Sequence, residues 1–400
     1  METPILISSN RAITLKEEAG AIEVLINSET CDFKDNPGIS NEDKKKYAQS
    51  EKRNFYKSFL SSQFENLLIL TGAGTSVKFG GKTMGELWNL VEVELTSVVL
   101  EELCKTIGYI DNSTDFTKLE SIHKDLEKLL SRANIAKEFI KEYNGKVVNI
   151  PELVTKIESI IQKHCKISLQ ADAPHQQFLN KITDRKLKDP RAKIFTLNYD
   201  TLFEQASIGG NFTVIDGFSF SAPRTLSGRN FDYDIVYREK TRIKEEESFI
   251  SKVFHLYKPH GSINWEYNAS TDSVIINDST SKPLMIFPKD SKYENSYEQP
   301  FFEMMSRFQQ NLRKDNVLLI TVGFSFNDKH IVTAIKEAVS QNPSFRLLII
   351  NRSINKDSFA WFVDKSKNSY NVSLVAEEFS DFVENYPSSS IYSDEQDSKI

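Results

Sequence analysis

Cysteine is scarce in this chain: Cys31, Cys104 and Cys165 stand far apart and are odd in number. They cannot make a disulfide framework or a paired Cys-x-x-Cys zinc site, so plain thiols in a reducing compartment are expected. His164-Cys165 resembles a fragment of a metal site, but no second pair accompanies it; it is read as structural, and no metal is expected. Long uncharged apolar runs are missing, which excludes a membrane-spanning helix. No basic stretch followed by an apolar core opens the chain, so no signal peptide is expected, and the protein is read as cytoplasmic. An excess of positive charge is also lacking. Fifty Lys and Arg against 56 Asp and Glu leave a net charge of −6, which argues against strong nucleic-acid binding by the chain as a whole. What remains, 39% hydrophobic and 26% charged residues over 400 positions, is the make-up of a globular fold able to bury a sizeable core.

Proline and glycine thin out between about Met84 and Lys181, and there apolar residues recur at helical spacing. Leu87, Leu90, Val91 and Leu95 form one such set, Leu119, Ile122, Leu126 and Leu130 a second, and Leu153, Ile157, Ile160 and Ile161 a third. They predict a helical insertion at about 84–183. It follows a strand at 66–71, short, uncharged and bounded by glycine. Residues 1–65, polar and charged, are read as an N-terminal extension with a short strand or helix around Ala21–Ile26. Beyond the insertion, strands are expected at Lys193–Leu197, Val253–Tyr257, Leu284–Phe287, Val317–Val322 and Phe345–Ile350. Helices are expected from Thr201, at Phe301–Leu312 and at Asp328–Val339, with a polar loop at 221–249. Strands alternating with helices predict an α/β fold: a Rossmann-like parallel sheet covered by helices on both faces, spanning 66–386. The serine-rich, acidic tail from 387 is expected to be disordered.

Each chemically suggestive motif falls just after an expected strand, where ligands bind in parallel sheets. The first is Gly72-Ala73-Gly74-Thr75-Ser76, whose glycines allow close backbone approach and whose N–H groups could hold a pyrophosphate, although Gly-x-Gly also serves ordinary turns. The second, Thr196-Leu197-Asn198-Tyr199-Asp200, offers an amide and a carboxylate; either could instead cap the next helix. The third is Lys258-Pro259-His260-Gly261-Ser262. His260 stands between a strand and a glycine, in a place suited to a general base, whereas His123, His164, His175, His255 and His330 read as surface or satisfied structural groups. The fourth is Gly323-Phe324-Ser325-Phe326-Asn327-Asp328, where Asn327 or Asp328 could be a helix cap. Last, Asn351-Arg352 closes a strand, as a ribose contact or a plain turn.

In this order the motifs resemble those of the silent-information-regulator (sirtuin) family of NAD-consuming enzymes, over about 66–352. The resemblance implies a domain with NAD+ lying across the strand ends. It implies that Gly72, Ala73, Gly74, Thr75, Ser76 and Thr83, with Gly323, Ser325 and Asn351, line the cofactor. Asn198 would face the nicotinamide ribose, Asp200 the carboxamide, and His260 would act as base. Three departures set the branch. No cysteine follows Cys165, so the four-cysteine zinc ribbon of protein-deacylating sirtuins is absent. Leu197 replaces the glutamine of their Thr-Gln-Asn motif, and Lys82-Thr83-Met84-Gly85 replaces Pro-Thr-Phe-Arg. Where acyl-lysine would dock stands the helical insertion. These features resemble the bacterial antiphage-defence branch that hydrolyses NAD+, and within it, by the run Gly80-Gly81-Lys82-Thr83-Met84-Gly85-Glu86-Leu87-Trp88, the subunit that partners a HerA-type hexameric ATPase. A homo-oligomer is expected because the inserted helices carry more apolar, helix-period surface than a nucleotide fold requires. The expected reaction is cleavage of the nicotinamide–ribose bond by water to ADP-ribose and nicotinamide. An NAD-dependent deacylase and a non-catalytic NAD or ADP-ribose-binding assembly subunit are the alternatives.

Overall fold

The computed structural model describes residues 2–33, 38–61, 64–120, 124–143, 146–186, 188–237, 249–285 and 300–387. The chain opens with four strands, β1 (Glu2–Ile7), β2 (Ala12–Glu18), β3 (Ala21–Ile26) and β4 (Glu29–Thr30), each antiparallel to the one before. Two-residue turns at Ala19-Gly20 and Asn27-Ser28 have positive φ at both positions, the geometry whose twist matches a tight hairpin. The helix α1 (Asn41–Leu60) follows, then β5 (Asn66–Thr71).

After β5 come α2 (Met84–Leu95), α3 (Ser97–Thr106), α4 (Leu126–Phe139), the small hairpin β6 (Glu142–Tyr143) and β7 (Lys146–Val147), α5 (Ile150–Cys165) and α6 (His175–Thr183). The chain then runs through β8 (Lys193–Thr196), α7 (Leu202–Gly209), β9 (Thr213–Ile215), β10 (Val253–Tyr257), and the hairpin β11 (Trp265–Asn268) and β12 (Ser273–Ile276). It closes with α8 (Phe301–Leu312), β13 (Val317–Val322), α9 (Lys329–Gln341), β14 (Arg346–Asn351), α10 (Ala360–Asn368), β15 (Val372–Ala376) and α11 (Phe379–Asn385).

One sheet of eleven strands runs β4-β3-β2-β1-β15-β14-β13-β5-β8-β10-β9. From β15 to β9 every pairing is parallel, and β1 joins β15 antiparallel. Strand residues alternate between two cores, as the two-residue period of a strand requires. Leu67, Ile69, Leu318, Ile320, Leu348 and Ile350 pack under α1, α6, α7 and α11. Leu68, Leu70, Leu319, Leu347 and Ile349 pack under α8, α9 and α10. The expected α/β sheet covered on both faces is what the chain forms.

Three differences bear on the site. The N-terminal extension supplies the sheet's antiparallel edge, with the expected element at Ala21–Ile26 present as the strand β3, and α1 packs against the sheet. Lys52 and Tyr56 of α1 bury their polar ends on Glu377, at 2.5 Å each, just past β15. Second, α2 to α5 form a core of their own around Trp88, Leu103, Leu129, Leu130, Val154 and Ile157, reaching the sheet through Tyr199 and Ile263, whereas α6 packs in the sheet's own core. Leu119 lies before α4 rather than on it, and Ile122 lies outside the described residues. Third, the strand expected at Leu284–Phe287 is only an isolated bridge from Met285 to Gly261, with 286–287 outside the described residues. The tail from 388 and His123 lie outside them as well.

Candidate functional site

The carboxyl ends of β5, β8, β10, β13 and β14 carry the loops 72–76, 197–201, 258–262, 323–328 and 351–353. The chain leaves β5 for β8 on one side, and later passes from β13 to β14 on the other, so its course diverges between β5 and β13. Such a point is where an open parallel sheet leaves a crevice for a ligand.

At that divergence the two glycine loops touch. A Cβ built on Gly74 would sit 2.5 Å from Gly323 Cα, one on Gly72 would sit 2.8 Å from Gly323 O, and Gly323 itself has φ +62°. The backbone N–H groups are already engaged: Gly72 donates to Val322 O (3.0 Å), Gly74 to Gly323 O (3.1 Å), Thr75 to Gly72 O (3.1 Å) and Ser76 to Ala73 O (2.9 Å). The expected cradle of free N–H groups is therefore not offered at these four positions. The glycines also let the two loops pack backbone against backbone, a role that neither the cradle nor the ordinary-turn reading had given them.

Side chains knit the loop to the next motif. The Asn198 amide nitrogen donates to Gly72 O (3.1 Å), Thr75 Oγ1 (3.1 Å) and Ser76 Oγ (2.9 Å). A carbonyl only accepts, so the nitrogen must be the end facing the loop. Ser76 Oγ donates to Asp200 Oδ2 at 2.7 Å, while Asp200 Oδ1 accepts at 3.1 Å the N–H of Leu202, the first residue of α7. Asp200 thus ties the glycine loop to the start of α7, while Asn198 braces the glycine loop.

Lys258, which sequence reasoning left without a role, fastens the third motif to the second. It is 2% exposed, and its Nζ donates to Asp200 O (2.5 Å), Glu204 Oε1 (2.9 Å) and Ser262 Oγ (2.9 Å). A lysine directly after the wholly buried strand Val253–Tyr257 was the available signal. Burial pushes the Glu204 carboxyl up, and Lys258 opposes that shift.

His260 is 4% exposed and lies between two carboxylates: Nδ1 is 3.2 Å from Glu127 Oε1, and Nε2 is 3.2 Å from Asp328 Oδ2. Tyr199 donates its hydroxyl to the same Glu127 oxygen at 2.9 Å. Burial alone would lower the His260 pKa, but Glu127 and Asp328 outweigh it and hold the group at about 10. For Asp328, burial raises the pKa and His260 more than offsets it. The raised pKa favours the imidazolium, with each ring nitrogen facing a carboxylate, where the sequence reading took a general base with an ordinary pKa near neutrality. Asp328 also caps α9, accepting from His330 and Ile331 N–H through Oδ1.

The remaining expected contacts are more scattered. Thr83 is exposed and caps α2 in a reciprocal box with Glu86. Ser325 is exposed on the Gly323 loop, and Ala73 is half-buried on its own. Asn351 donates to Phe324 O at 2.8 Å and so braces that loop from the far side. The structure brings Gly72, Gly74, Thr75, Ser76, Asn198, Asp200 and Gly323 into one contiguous set, with Asn351 joined to it through Phe324 O; Thr83 stands apart as the cap of α2.

The other polar candidates are structural. His175 is wholly buried among the rings of Phe79, Phe203 and Phe379, with neither nitrogen hydrogen-bonded, and burial lowers it to about 4; it is neither a surface nor a satisfied group. His255, within β10, is lowered to about 3 by burial and by nearby Lys193 and Arg191. His164 pairs with Glu94 at 2.7 Å. Burial pushes the thiols of Cys104 and Cys165 up to about 12. Among the described residues no group of three or more His, Cys, Asp or Glu is placed to hold a metal ion, and no helix is long and apolar enough to cross a membrane.

Residues 192–372 match the family model of the SIR2-like domain. That stretch runs from β8 to β15 and holds Asn198, Asp200, His260, Gly323, Ser325 and Asn351, but not the loop at 72–76. Similar solved structures include Sir2Tm bound to a propionylated peptide (12% identity, 82% of this chain and 95% of that chain, TM-score 0.37). Another was determined for the structural basis of sirtuin substrate affinity (14% identity, 82% and 97%, TM-score 0.35). No curated protein matches the chain.

Proposed function

We propose that this chain is an NAD+ glycohydrolase. Water and NAD+ give ADP-ribose, nicotinamide and a proton, with the N-glycosidic bond as the one broken. The observation that carries this reading is the joining of Ser76, Asn198 and Asp200 into one hydrogen-bonded set at the strand ends. Tyr199, between the last two, places its ring 6.4 Å from that of His260. The SIR2-like match over 192–372 supports the substrate class. As the bond to nicotinamide lengthens, the ribose becomes cation-like, and oxygen ligands held in advance lower that barrier more than mobile water does. The carbonyl oxygen of the Asn198 amide and the Asp200 carboxylate suit those roles. His260 handles the proton of the attacking water or of a ribose hydroxyl. No step calls for a metal.

The proposed setting is cytoplasmic NAD+ depletion in bacterial antiphage defence, by a homo-oligomer working with a HerA-type hexameric ATPase. The motif resemblance supports it, as does a helical insertion with its own core and outward Val93, Val98 and Phe139. Light scattering on the pure chain and co-purification with a co-expressed ATPase of that type test it; a monomer that binds none removes this account of control and leaves the chemistry untouched.

A second reading, a non-catalytic NAD+ or ADP-ribose-binding subunit, is favoured by the charged His260, which in this state has no lone pair to accept a proton. Incubation of the pure protein with NAD+ and with an acetylated peptide separates the readings. Nicotinamide release with unchanged peptide mass is the expected result. Release that depends on peptide, with loss of the acetyl mass, identifies a deacylase. Binding of NAD+ without release identifies a sensor.

A further inference from the structure

We propose that Glu127, in the first turn of α4, is a positioning residue that holds His260 in its charged form, so that the helical insertion restrains the reaction until α4 moves. This rests on the hydrolase reading for its consequence, but the proton it concerns can be observed without any substrate. Four observations carry it. Glu127 belongs to the insertion while His260 belongs to the sheet, and the 3.2 Å contact joins them. The Glu127 oxygen is fixed by Tyr199, whose ring is buried and whose neighbours Asn198 and Asp200 are the groups assigned to the ribose and carboxamide. Asp328 closes the other nitrogen and is itself anchored as the cap of α9. Last, Glu127 sits in the first turn of a helix, an end that the aligned peptide dipoles make favourable for a negatively charged side chain.

The charged and titratable groups around His260 are therefore Glu127 from α4, Asp328 at the start of α9, and the Tyr199 hydroxyl, with His330 acting electrostatically on Asp328 and Asp125 at the α4 cap. Two carboxylates against one imidazole that is only 4% exposed favour the imidazolium. Withdrawing α4 removes one carboxylate. His260 then loses its extra proton to solvent, and the neutral ring can accept the proton of the attacking water as that water's oxygen bonds to the ribose carbon. The helical insertion is thereby both the roof of the site and its restraint.

The test uses full-length protein with isotope-labelled histidine, as wild type, Glu127→Gln and Glu127→Asp. The His260 ring resonance, assigned by its loss in His260→Gln, is followed against pH. Wild type is expected to remain protonated past pH 9, Glu127→Gln to titrate at least one unit lower, and Glu127→Asp, which keeps the charge but withdraws it by one methylene, to fall between them. Each unit of lowering gives tenfold more neutral imidazole at pH 7, so Glu127→Gln is expected to release nicotinamide from NAD+ at that pH about tenfold faster than wild type. A wild-type His260 already neutral at pH 7, or an unmoved midpoint in a Glu127→Gln protein with wild-type circular dichroism, overturns the proposal. If Glu127→Gln fails to fold, the Asp variant decides by the same shift: a lowered midpoint supports it and an unmoved one refutes it. A shifted midpoint with no nicotinamide from any variant leaves the clamp standing and removes the hydrolase reading. Brisk wild-type hydrolysis at pH 7 that Glu127→Gln does not accelerate does the reverse.

Discussion

Adding one methyl group at Gly74 tests whether the glycine loop is held by packing. The new Cβ would lie 2.5 Å from Gly323 Cα, 3.1 Å from Gly323 O and 3.3 Å from Gly323 C. All three are backbone atoms, so no side chain can rotate away and the loops must part. Forcing an extra carbon into a packed region costs about 1–3 kcal/mol. Parting the loops also weakens the Gly74 N–H to Gly323 O bond of 3.1 Å, adding about 0.5–1.5 kcal/mol. Gly74→Ala is thus expected to lose roughly 2–4 kcal/mol of stability. Gly323→Ala meets the same contact from the other side, at 2.5 Å from Gly74 Cα, and adds the strain of φ +62°, so it is expected to lose more. Gly85→Ala is the control. Nothing lies within 4 Å of its Cβ and it sits in α2, so alanine there is expected to gain about 0.5–1 kcal/mol. Urea unfolding followed by circular dichroism gives all three from the midpoint at constant slope. If Gly74→Ala and Gly323→Ala unfold at the wild-type midpoint, the two loops do not meet as described, and the packing account of the glycines is wrong.

His260→Ala and Asn198→Ala are each expected to lower NAD+ turnover by ~10²–10⁴ while the chain still folds; near-wild-type nicotinamide release from either well-folded variant would refute its assigned role. His175 is neutral when folded at pH 7, because burial lowers its pKa from the ordinary value of about 6.5 to about 4. The unfolded chain therefore binds the extra proton first on acidification, so stability present above pH 6.5 is lost as pH falls toward 4. That loss is about 2 kcal/mol at pH 5. His175→Phe should remove this part of the pH dependence, and an unchanged stability difference between pH 7 and pH 5 would contradict the burial of a partnerless imidazole. Lys52→Met leaves Glu377 buried without its cation and is expected to cost about 3–5 kcal/mol, read by urea unfolding; a change below about 0.5 kcal/mol would show that α1 is not pinned through that pair. Chelator treatment is expected to change neither folding nor nicotinamide release, and stoichiometric zinc whose removal unfolds the chain would refute a metal-free fold.

The alternation of strands and helices was legible because it is written locally. Val253–Tyr257, Val317–Val322 and Phe301–Leu312 have in the structure the bounds read from the sequence, each an apolar run or stripe ended by polar or turn-forming residues. The order of the motifs, and their place after strands, was legible for the same reason. The N-terminal strands were not read as part of the sheet, since β1 pairs with β15 across nearly the whole chain and no local pattern reports a partner so distant. The site divides along the same line. Residue types and spacing marked Asn198, Asp200 and His260 as able to do chemistry. Whether His260 carries a proton was decided by Glu127 and Asp328, brought to it from an inserted helix and from the cap of another. Likewise nothing in either glycine motif alone reported that folding sets the two loops backbone against backbone. A sequence specifies which groups are available, because side-chain chemistry and short-range periodicity are properties of neighbouring residues. Charge state, hydrogen-bond occupancy and close approach depend on which distant groups share a few ångströms of low-dielectric space, and that was decided only by the tertiary fold.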